Sequence, residues 1–455
     1  MPGTCTSDVP AIAGGTPVKQ TPFGRATRYG EEELRELREA LDRGSLFYAH
    51  GMKVSALEAA FAEVIGAPGA VACSSGTAAI HAALIAAGIS PGDEVITSPI
   101  TDMGTVIPIL YQGAVPVFAD LDPRTYNVMP GSVEGLLTPK TRALIAVHLA
   151  GNSCDLAALA DLCERCGIVL VEDCAQSHGC TYSGRSVGTF GDYGCFSLNE
   201  FKHISCGDGG LVVSRDPERL GRLRQATDKA YDRSPTAAGR TPTFLAQNYR
   251  MTELQGAVGL AQLAKLDGIV AARRRWCGAL AERLAGTPGL MLPVATPGCE
   301  HSWWLFMMRV VPDELGADAD TFAQALQAEG IPVAAHYIAQ CVYEYPVFVD
   351  HSAFERGSHP YVDTEYRKGL CPNAEAILDT CILLGVNEGY TDQDLEDTAR
   401  AVRRVAEWYA SGAPSPPPSP SALRQAQGSG SGTPSPRGEA CPESAARPDR
   451  RGAGR

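Results

Sequence analysis

The sequence lacks any long unbroken apolar segment. Nowhere in its 455 residues do the roughly 18 consecutive apolar positions of a membrane-spanning helix occur, so we expect no such helix. The stretch from Met1 to Arg25 has neither a basic start nor a long apolar core, and so no secretory signal is visible. Together these absences predict a cytoplasmic protein.

Positive charge is also scarce. Lysine and arginine total 39 against 52 aspartates and glutamates, which gives a formal net charge of −13. This balance disfavours nucleic acid or an anionic membrane surface as the main partner. It does not exclude an anionic small ligand, because a local cluster of N–H groups and cations can outweigh the global charge.

The cysteines do not form the pattern of a disulfide framework. Their number, 15, is odd, and most of them lie inside apolar runs. That distribution is typical of reduced, buried thiols in a cytosolic protein. Cys163 and Cys166 form a C-x-x-C pair, but no second pair follows at zinc spacing. We therefore interpret them as two small residues on one helical turn and expect no metal site.

The two ends of the chain have little material for a core. Residues 1–21 form a Gly/Pro/Thr-containing arm, and residues 411–455 hold nine prolines, no aromatic residue and one large aliphatic residue, Leu423. Such a composition cannot bury enough apolar surface to offset the loss of chain entropy. We expect 411–455 to be a disordered tail.

Between these ends, short apolar runs alternate with helical patterns. This alternation predicts an α/β fold with a mostly parallel sheet and helices on both faces. The seven predicted strands are Ala70–Cys73, Glu94–Ser98, Val115–Ala119, Ala143–His148, Ile168–Glu172, Gly194–Leu198 and Gly210–Ser214.

The second half of the chain predicts a smaller domain. One long helix over Thr252–Leu284 would join a large domain, 22–265, to a smaller α+β domain, 266–410. Further elements predicted in the smaller domain are a strand over His301–Val311, a helix over Ala319–Glu329, a strand over Ile331–Tyr337 and a helix over Asp392–Ala410.

Three motifs stand in an informative order along the chain, and the first is a candidate anion site. Ser74-Ser75-Gly76-Thr77 lies between a predicted strand and a predicted helix. Free N–H groups at a helix N-terminus, together with hydroxyl groups, suit a phosphate. The same four residues are also an ordinary helix cap, so this motif alone does not decide between the two roles.

The second motif is a carboxylate at the end of a strand. Asp173 ends an apolar run, at the position where open parallel sheets bind their ligands. A carboxylate there can pair with a protonated pyridine nitrogen and keep the ring cationic. It can equally cap a following helix. Gln176 and His178 follow in what we expect to be an exposed turn, within reach of such a ring.

The third motif centres on Lys202. It lies between two apolar runs and is followed by Gly207, Gly209 and Gly210, which allow the backbone to turn sharply and approach a ligand. A lysine that forms a Schiff base must be partly desolvated, so that its amine is neutral and nucleophilic. An anion cradle, a strand-end carboxylate and such a lysine, in this order, are what pyridoxal 5′-phosphate (PLP) requires of a protein.

With these motifs in place, the chain resembles the DegT/DnrJ/EryC1/StrS family of PLP-dependent sugar and aminocyclitol aminotransferases. The likeness extends from about Gly14 to Ala410. The matching segments are Gly14–Val18, Ser75–Ala79, His148–Gly151, Glu172–Gly179, Gly188–Asp192, Cys195–Ser197, Lys202 with Gly207–Gly210, Asn248–Met251 and Cys371–Glu375.

The resemblance implies the roles of individual residues. The fold would be PLP fold type I, with a mostly parallel seven-stranded sheet in the large domain. Lys202 would form the Schiff base with the cofactor, Asp173 would pair with the pyridine nitrogen, and Gln176 would lie near the ring hydroxyl. The phosphate ligands implied are Gly76, Thr77 and Ser197.

The resemblance also implies a homodimer, because Asn248 would reach the phosphate of the partner subunit's cofactor. The implied reaction moves an amino group from L-glutamate or L-glutamine to a keto-sugar or keto-cyclitol, in secondary-metabolite or polysaccharide biosynthesis. Residues of the smaller domain that could contact substrate, or simply pack in its core, are His301, Trp303, His336 and Tyr337.

One departure from the family pattern concerns the cofactor ring. Many members carry an aromatic residue that stacks on the ring, where this chain has Asp102. Either Met103 or another side chain covers the ring, or Asp102 contacts substrate. Two other functions stay open: a sugar dehydratase, whose family members typically replace the lysine with histidine, and a regulatory protein that has lost catalysis. Lys202 disfavours the first, although His203 follows it.

Overall fold

The computed structural model describes residues 9–234, 237, 239–355 and 359–412. Residues 1–8 of the predicted arm and 413–455 of the predicted tail therefore lie outside the described residues. No helix within the described part is long and apolar enough to cross a membrane.

Helices and strands alternate along the described chain as the periodicity predicts. The helices are α1 Glu31–Asp42, α2 Lys53–Ile65, α3 Gly76–Ala86, α4 Met103–Tyr111, α5 Pro130–Glu134, α6 Leu156–Cys166, α7 Pro217–Thr227, α8 Glu253–Leu263, α9 Leu266–Leu284, α10 Pro312–Leu315, α11 Ala319–Ala328, α12 Pro346–Val349, α13 Pro372–Thr380 and α14 Asp392–Ala410. The strands are β1 Ala70–Cys73, β2 Glu94–Thr97, β3 Val115–Phe118, β4 Thr141–Val147, β5 Val169–Asp173, β6 Thr181–Tyr182, β7 Arg185–Ser186, β8 Tyr193–Ser197, β9 Gly210–Val213, β10 Leu290–Met291, β11 Cys299–Glu300, β12 Leu305–Val310, β13 Val333–Ala335 and β14 Cys381–Gly385.

The large sheet has seven strands in the order β1-β9-β8-β5-β4-β2-β3. Neighbouring strands are parallel from β8 to β3, and β9 alone runs antiparallel to both of its neighbours. Most of the strands are short runs rich in Val, Ile, Leu and Ala, and most of their residues are buried, as is typical of parallel sheets covered on both faces. The predicted α/β fold with a mostly parallel seven-stranded sheet is confirmed.

The carboxyl ends of β1, β2, β5 and β8 lie at one edge of this sheet. Each is followed by a segment singled out in the sequence: the Ser-Ser-Gly-Thr turn, the Asp102 turn, the run from Asp173 and the Lys202 loop. Since ligands of such sheets bind beyond the carboxyl ends of the strands, the topology alone brings the three motifs together.

A second, four-stranded antiparallel sheet forms in the C-terminal part, in the order β10-β12-β14-β13. It packs against α9, α11 and α14 around a core that includes Trp276, Phe306, Phe322 and Val402. A small third sheet joins the β6–β7 hairpin to β11. This pairing fixes the chain just before residues 301–304 beside the large sheet.

Three predicted elements are shorter than the sequence pattern suggested, and one of them is the strand predicted over Ile331–Tyr337, which extends only over Val333–Ala335. The helix predicted over Thr252–Leu284 is broken at Ala264 and Lys265, where α8 ends and α9 begins. The break contains neither proline nor glycine. It follows from packing, because α8 lies against α1 and α2 while α9 lies against α14, and the Lys265 amine is drawn to Glu33 at 2.7 Å.

The strand predicted from His301 begins only at Leu305, because Trp303 has a φ of 55° and turns the chain. The backbone N–H groups of Ser302 and Trp304 donate instead to the carbonyls of Gly151 and Ala150, at 2.9 Å each. The preceding loop is thereby held against the large sheet.

Residues 341–355 and 359–378 form a part of the structure that the sequence pattern did not predict. It packs on the large sheet, where Phe118 of β3 lies in edge contact with Tyr343, Phe348 and Tyr366. The N–H of Val342 donates to Pro99 O at 3.0 Å. This bond attaches the segment to the loop that carries Asp102.

Candidate active site

The predicted phosphate ligands lie side by side in the structure. Ser75 caps α3, its hydroxyl accepting from the Ala78 N–H at 3.1 Å. A methyl group on Gly76 would lie 2.7 Å from Ser197 Cβ, so the first turn of α3 sits directly against the end of β8. A methyl group on Gly104 would lie 2.5 Å from Thr77 Oγ1. Hydroxyl groups and free helix N–H groups therefore converge, as an anion cradle requires.

Asp173 is the buried carboxylate of the site. One of its oxygens accepts from Thr105 Oγ1 at 2.7 Å and the other from the Ala175 N–H at 3.1 Å. Burial raises the pKa of Asp173, and these two hydrogen bonds and the charge of Lys202 only partly oppose that effect. A cationic partner at this position would stabilise the ionised carboxylate.

Glu172, the residue before Asp173, holds the end of β5 in place. Glu172 accepts from three backbone N–H groups, those of Gly188, Phe190 and Gly191, each at 2.7 Å, and lies 3.1 Å from His148 Nε2. His148 Nδ1 accepts in turn from the Cys154 N–H at 3.1 Å. His148, Glu172 and Cys174 could by spacing hold a metal ion. Because both ring nitrogens are already hydrogen-bonded, we interpret the cluster as structural.

Lys202 lies beyond β8 with its amine inside the protein. Burial lowers the pKa of Lys202, and the carboxylates of Asp173 and Asp102 oppose this shift. Nζ lies 4.3 Å from the centre of the Trp304 ring, and the Trp304 indole N–H donates to Phe201 O at 2.8 Å. An amine with a lowered pKa is the nucleophile that Schiff-base formation needs.

Gln176 and His178 are buried, so the predicted exposed turn is wrong. Gln176 accepts from the Ala150 N–H and donates to the Tyr337 hydroxyl, both at 2.8 Å. His178 Nε2 lies 2.8 Å from the carbonyl of Ser197, and burial lowers the pKa of His178 to about 4. The ring is therefore neutral, with Nε2–H as donor, and Nδ1 has no hydrogen-bond partner in the described chain.

The candidate substrate contacts separate into two groups. Tyr337 reaches the site through Gln176, and its ring meets that of Trp304 edge-on at 6.3 Å. Trp303 instead stacks between His301 and Phe306 in the core of the smaller sheet. His336 bonds to Leu378 O at 2.6 Å and to Asp320 at 3.3 Å.

Asn248 occupies an exposed position, where its backbone forms an isolated bridge with Asp228. Two residues later, Arg250 forms a second bridge with Cys73 at the end of β1. The predicted contact of Asn248, with the phosphate in a partner subunit, concerns a second chain and stays a prediction.

These side chains fit PLP. A crowded glycine and two hydroxyl groups face the helix N-terminus. A buried carboxylate forms no salt bridge within the described chain, and a desolvated amine makes no hydrogen bond with the described residues. Those are a phosphate cradle, a partner for a pyridinium nitrogen and a carbonyl-reactive lysine.

Comparison with known proteins identifies the family. Residues 27–403 match the model of the DegT/DnrJ/EryC1/StrS aminotransferase family. The chain belongs to this family. Its cofactor is accordingly PLP, and its fold is that of the fold type I enzymes.

Individual relatives are similar over nearly their whole length. The spore coat polysaccharide biosynthesis protein SpsC of Bacillus subtilis is 33% identical over 388 residues, which cover 83% of this chain and 95% of SpsC. The X-ray structure of DesV from S. venezuelae is 32% identical, with a TM-score of 0.73, and the match covers 83% of this chain and 95% of DesV. The crystal structure of DesI is 26% identical with a TM-score of 0.75, covering 88% of this chain and 97% of DesI.

Proposed function

We propose that the chain is a PLP-dependent aminotransferase that moves an amino group from L-glutamate or L-glutamine to the keto group of a sugar or cyclitol. The observation that carries this proposal is the buried Lys202 amine. It lies at the same edge of the large sheet as Asp173 and the contact between Gly76 and Ser197. The acceptor class is supported by the relatives: DesI was crystallised with its TDP-sugar product, and SpsC acts in polysaccharide biosynthesis.

The chain's own residues account for the steps of transamination. When bound, PLP supplies an aldehyde for the amino group and a cationic ring that draws electrons from the substrate carbon. Asp173 holds the ring nitrogen in its protonated form. The free Lys202 amine would take the proton from the substrate carbon and deliver it to the C4′ carbon of the cofactor, because its lowered pKa leaves the amine able to act as a base. Trp304 and Tyr337 limit the access of water from one side.

The histidine beside the lysine supports this reaction over a dehydratase. His203 is buried, and its Nε2 lies 3.0 Å from Ser302 O, whereas the Lys202 amine contacts the ring of Trp304. Burial also lowers the pKa of His203. The histidine is therefore engaged in packing, and the lysine remains the group that faces Asp173.

We further propose that the active unit is a homodimer in which Asn248 reaches the phosphate of the other subunit's cofactor. Its exposed position supports this assignment. Sedimentation of the purified protein, with and without PLP, tests the oligomeric state. A monomer that retains full transaminase activity would exclude the proposal.

The test of the function is spectroscopic. The purified protein should show the visible absorbance of PLP bound to a lysine, and L-glutamate or L-glutamine should bleach it as the amino group transfers. Lys202→Ala should slow this exchange by at least about 100-fold, because it removes both the nucleophile and the proton carrier. Lys140→Ala, which changes an exposed lysine, should leave it unchanged. A protein that holds no PLP, or a borohydride-trapped adduct on a different lysine, refutes the assignment.

A further inference from the structure

Asp102 is a charged side chain of the site to which cofactor binding assigns no role. It precedes α4, and its Oδ1 accepts from the Gly104 N–H at 2.7 Å, which caps the helix. Its Oδ2 has no hydrogen-bond partner among the residues that the structure describes, and the side chain is exposed. One oxygen of the carboxylate is therefore fixed in place while the other stays free to bind a ligand.

The turn that carries Asp102 is held at the mouth of the site by its neighbours. Gly104 packs on Thr77 of the phosphate cradle, and Thr105 bonds to Asp173. On the other side, the bond from Val342 N–H to Pro99 O attaches the segment that presents Tyr345. Asp102 thus lies between the cofactor ligands and the segment that carries Tyr345.

Three groups from separate parts of the chain have Asp102 as a charged neighbour. Burial lowers the pKa of Lys202, and Asp173 and then Asp102 oppose that shift. Burial raises the pKa of Tyr337 and of Tyr345, and for both the Asp102 carboxylate is the next cause. The Asp102 carboxylate is therefore close enough to Lys202, Tyr337 and Tyr345 to influence the ionisation of all three.

These side chains favour one chemical class of ligand. A carboxylate oxygen and phenol hydroxyls accept hydrogen bonds from hydroxyl groups, whereas the same carboxylate repels a phosphate or a second carboxylate. Asp173 is committed to the cofactor ring, so Asp102 is the acid available to substrate. An uncharged, hydroxyl-bearing ring matches the site, and any phosphate on the same molecule must lie farther out.

We propose that Asp102 is the specificity-determining residue of the acceptor half-reaction, and that its carboxylate accepts hydrogen bonds from ring hydroxyl groups of the keto substrate. This inference rests on the proposed aminotransferase function and names the residue that selects the acceptor. The amino donor, L-glutamate or L-glutamine, carries at least one carboxylate and gains nothing from Asp102, so the two half-reactions should respond differently when its charge is removed.

The first measurement checks that Asp102 faces Lys202, without any turnover. In the cofactor-free full-length protein, the rate at which acetic anhydride acylates Lys202 is followed against pH by peptide mass spectrometry. Asp102→Asn keeps an oxygen to cap Gly104 and removes the charge. It should move the Lys202 profile to lower pH, while Asp161→Asn, an exposed acid on α6, should not. An unchanged profile overturns the inference.

The second measurement separates the half-reactions in the PLP-loaded protein. The donor step is followed by bleaching with L-glutamate or L-glutamine. The acceptor step uses the pyridoxamine form with two probes, a keto-inositol and a TDP-linked 4-keto sugar. For the probe that reacts, the ratio of acceptor to donor kcat/KM should fall by about 10-fold in Asp102→Asn and by about 100-fold in Asp102→Ala, because any change in the basicity of Lys202 affects both half-reactions.

The possible failures are distinguishable. Equal losses in both half-reactions, or no loss in either, overturn the role of Asp102 and leave the proposed function intact. A wild type that bleaches with donor but aminates neither probe contradicts the acceptor chemistry inferred from Asp102. A wild type that never bleaches refutes the proposed function, whereas the acylation profile still reports whether Asp102 faces Lys202.

Discussion

Replacing Asp173 with asparagine should stabilise the cofactor-free protein at neutral pH while it damages catalysis. The asparagine amide can keep both hydrogen bonds of the carboxylate. Its oxygen accepts from the Ala175 N–H and its nitrogen donates to Thr105, whose own proton can turn to Thr101 Oγ1 at 2.6 Å. The change therefore removes the charge of a buried group with little change in shape.

The size of the effect follows from proton linkage. Burial raises the pKa of Asp173, so the folded protein holds this proton more tightly than the unfolded chain does. The resulting cost to stability is absent below the pKa of the unfolded chain, about 3.9, and complete above the raised pKa of the folded protein. Between those two values the stability of the variant relative to wild type should grow by up to about 1.4 kcal/mol per pH unit.

Urea unfolding at a series of pH values, followed by tryptophan fluorescence, measures this difference. Asp161→Asn serves as the control, because that carboxylate is exposed. A stability difference that stays constant with pH, or that favours wild type more as pH rises, refutes the assignment of a raised pKa. In the PLP-loaded protein, the same Asp173→Asn change should slow the donor half-reaction by at least about 100-fold, since the pyridinium loses its partner.

Two further predictions concern cofactor binding and the lysine. Gly76→Ala places a methyl group 2.7 Å from Ser197 Cβ and should weaken PLP binding by at least about 10-fold in a fluorescence titration, whereas Gly131→Ala, which meets no neighbour, should not. Trp304→Leu removes an aromatic ring whose centre lies 4.3 Å from Lys202 Nζ. Such a ring stabilises the protonated amine by about 0.5–2 kcal/mol, so its loss should move the acylation profile of Lys202 to lower pH. Trp304→Phe should retain most of the wild-type profile, and an equal shift in both variants would contradict the ring contact.

The sequence identifies the site better than it identifies the details around it. Gly76, Asp173, Ser197 and Lys202 each follow or end an apolar run, and a parallel sheet necessarily brings the carboxyl ends of those runs to one edge. Local patterns are sufficient for that conclusion because the geometry of the sheet supplies the long-range contacts.

Sequence patterns did not identify two residues that contact the site, Trp304 and Thr105. Trp304 faces Lys202 because the φ of 55° at Trp303 turns the chain, and periodicity contains no signal for such a turn. Thr105 bonds to Asp173 from the first turn of α4. A threonine directly after a strand-following Asp-Met-Gly turn could have been suspected, but its partner depends on the order of strands in the sheet.

The electrostatics of the site explain why the same residues serve both binding and catalysis. Burial disfavours the charged forms of both Asp173 and Lys202, and each charge only partly relieves the other. A ligand that brings a cationic nitrogen to Asp173 and reacts covalently with the Lys202 amine satisfies both groups at once, so part of its binding free energy comes from relieving desolvation inside the fold. Donor substrate then sets Lys202 free in a buried position, and that burial favours its neutral form. Burial at this edge of the sheet therefore has two effects. It destabilises the charged forms of Asp173 and Lys202 in the folded protein, and it lowers the pKa of Lys202 so that the amine can act as a base.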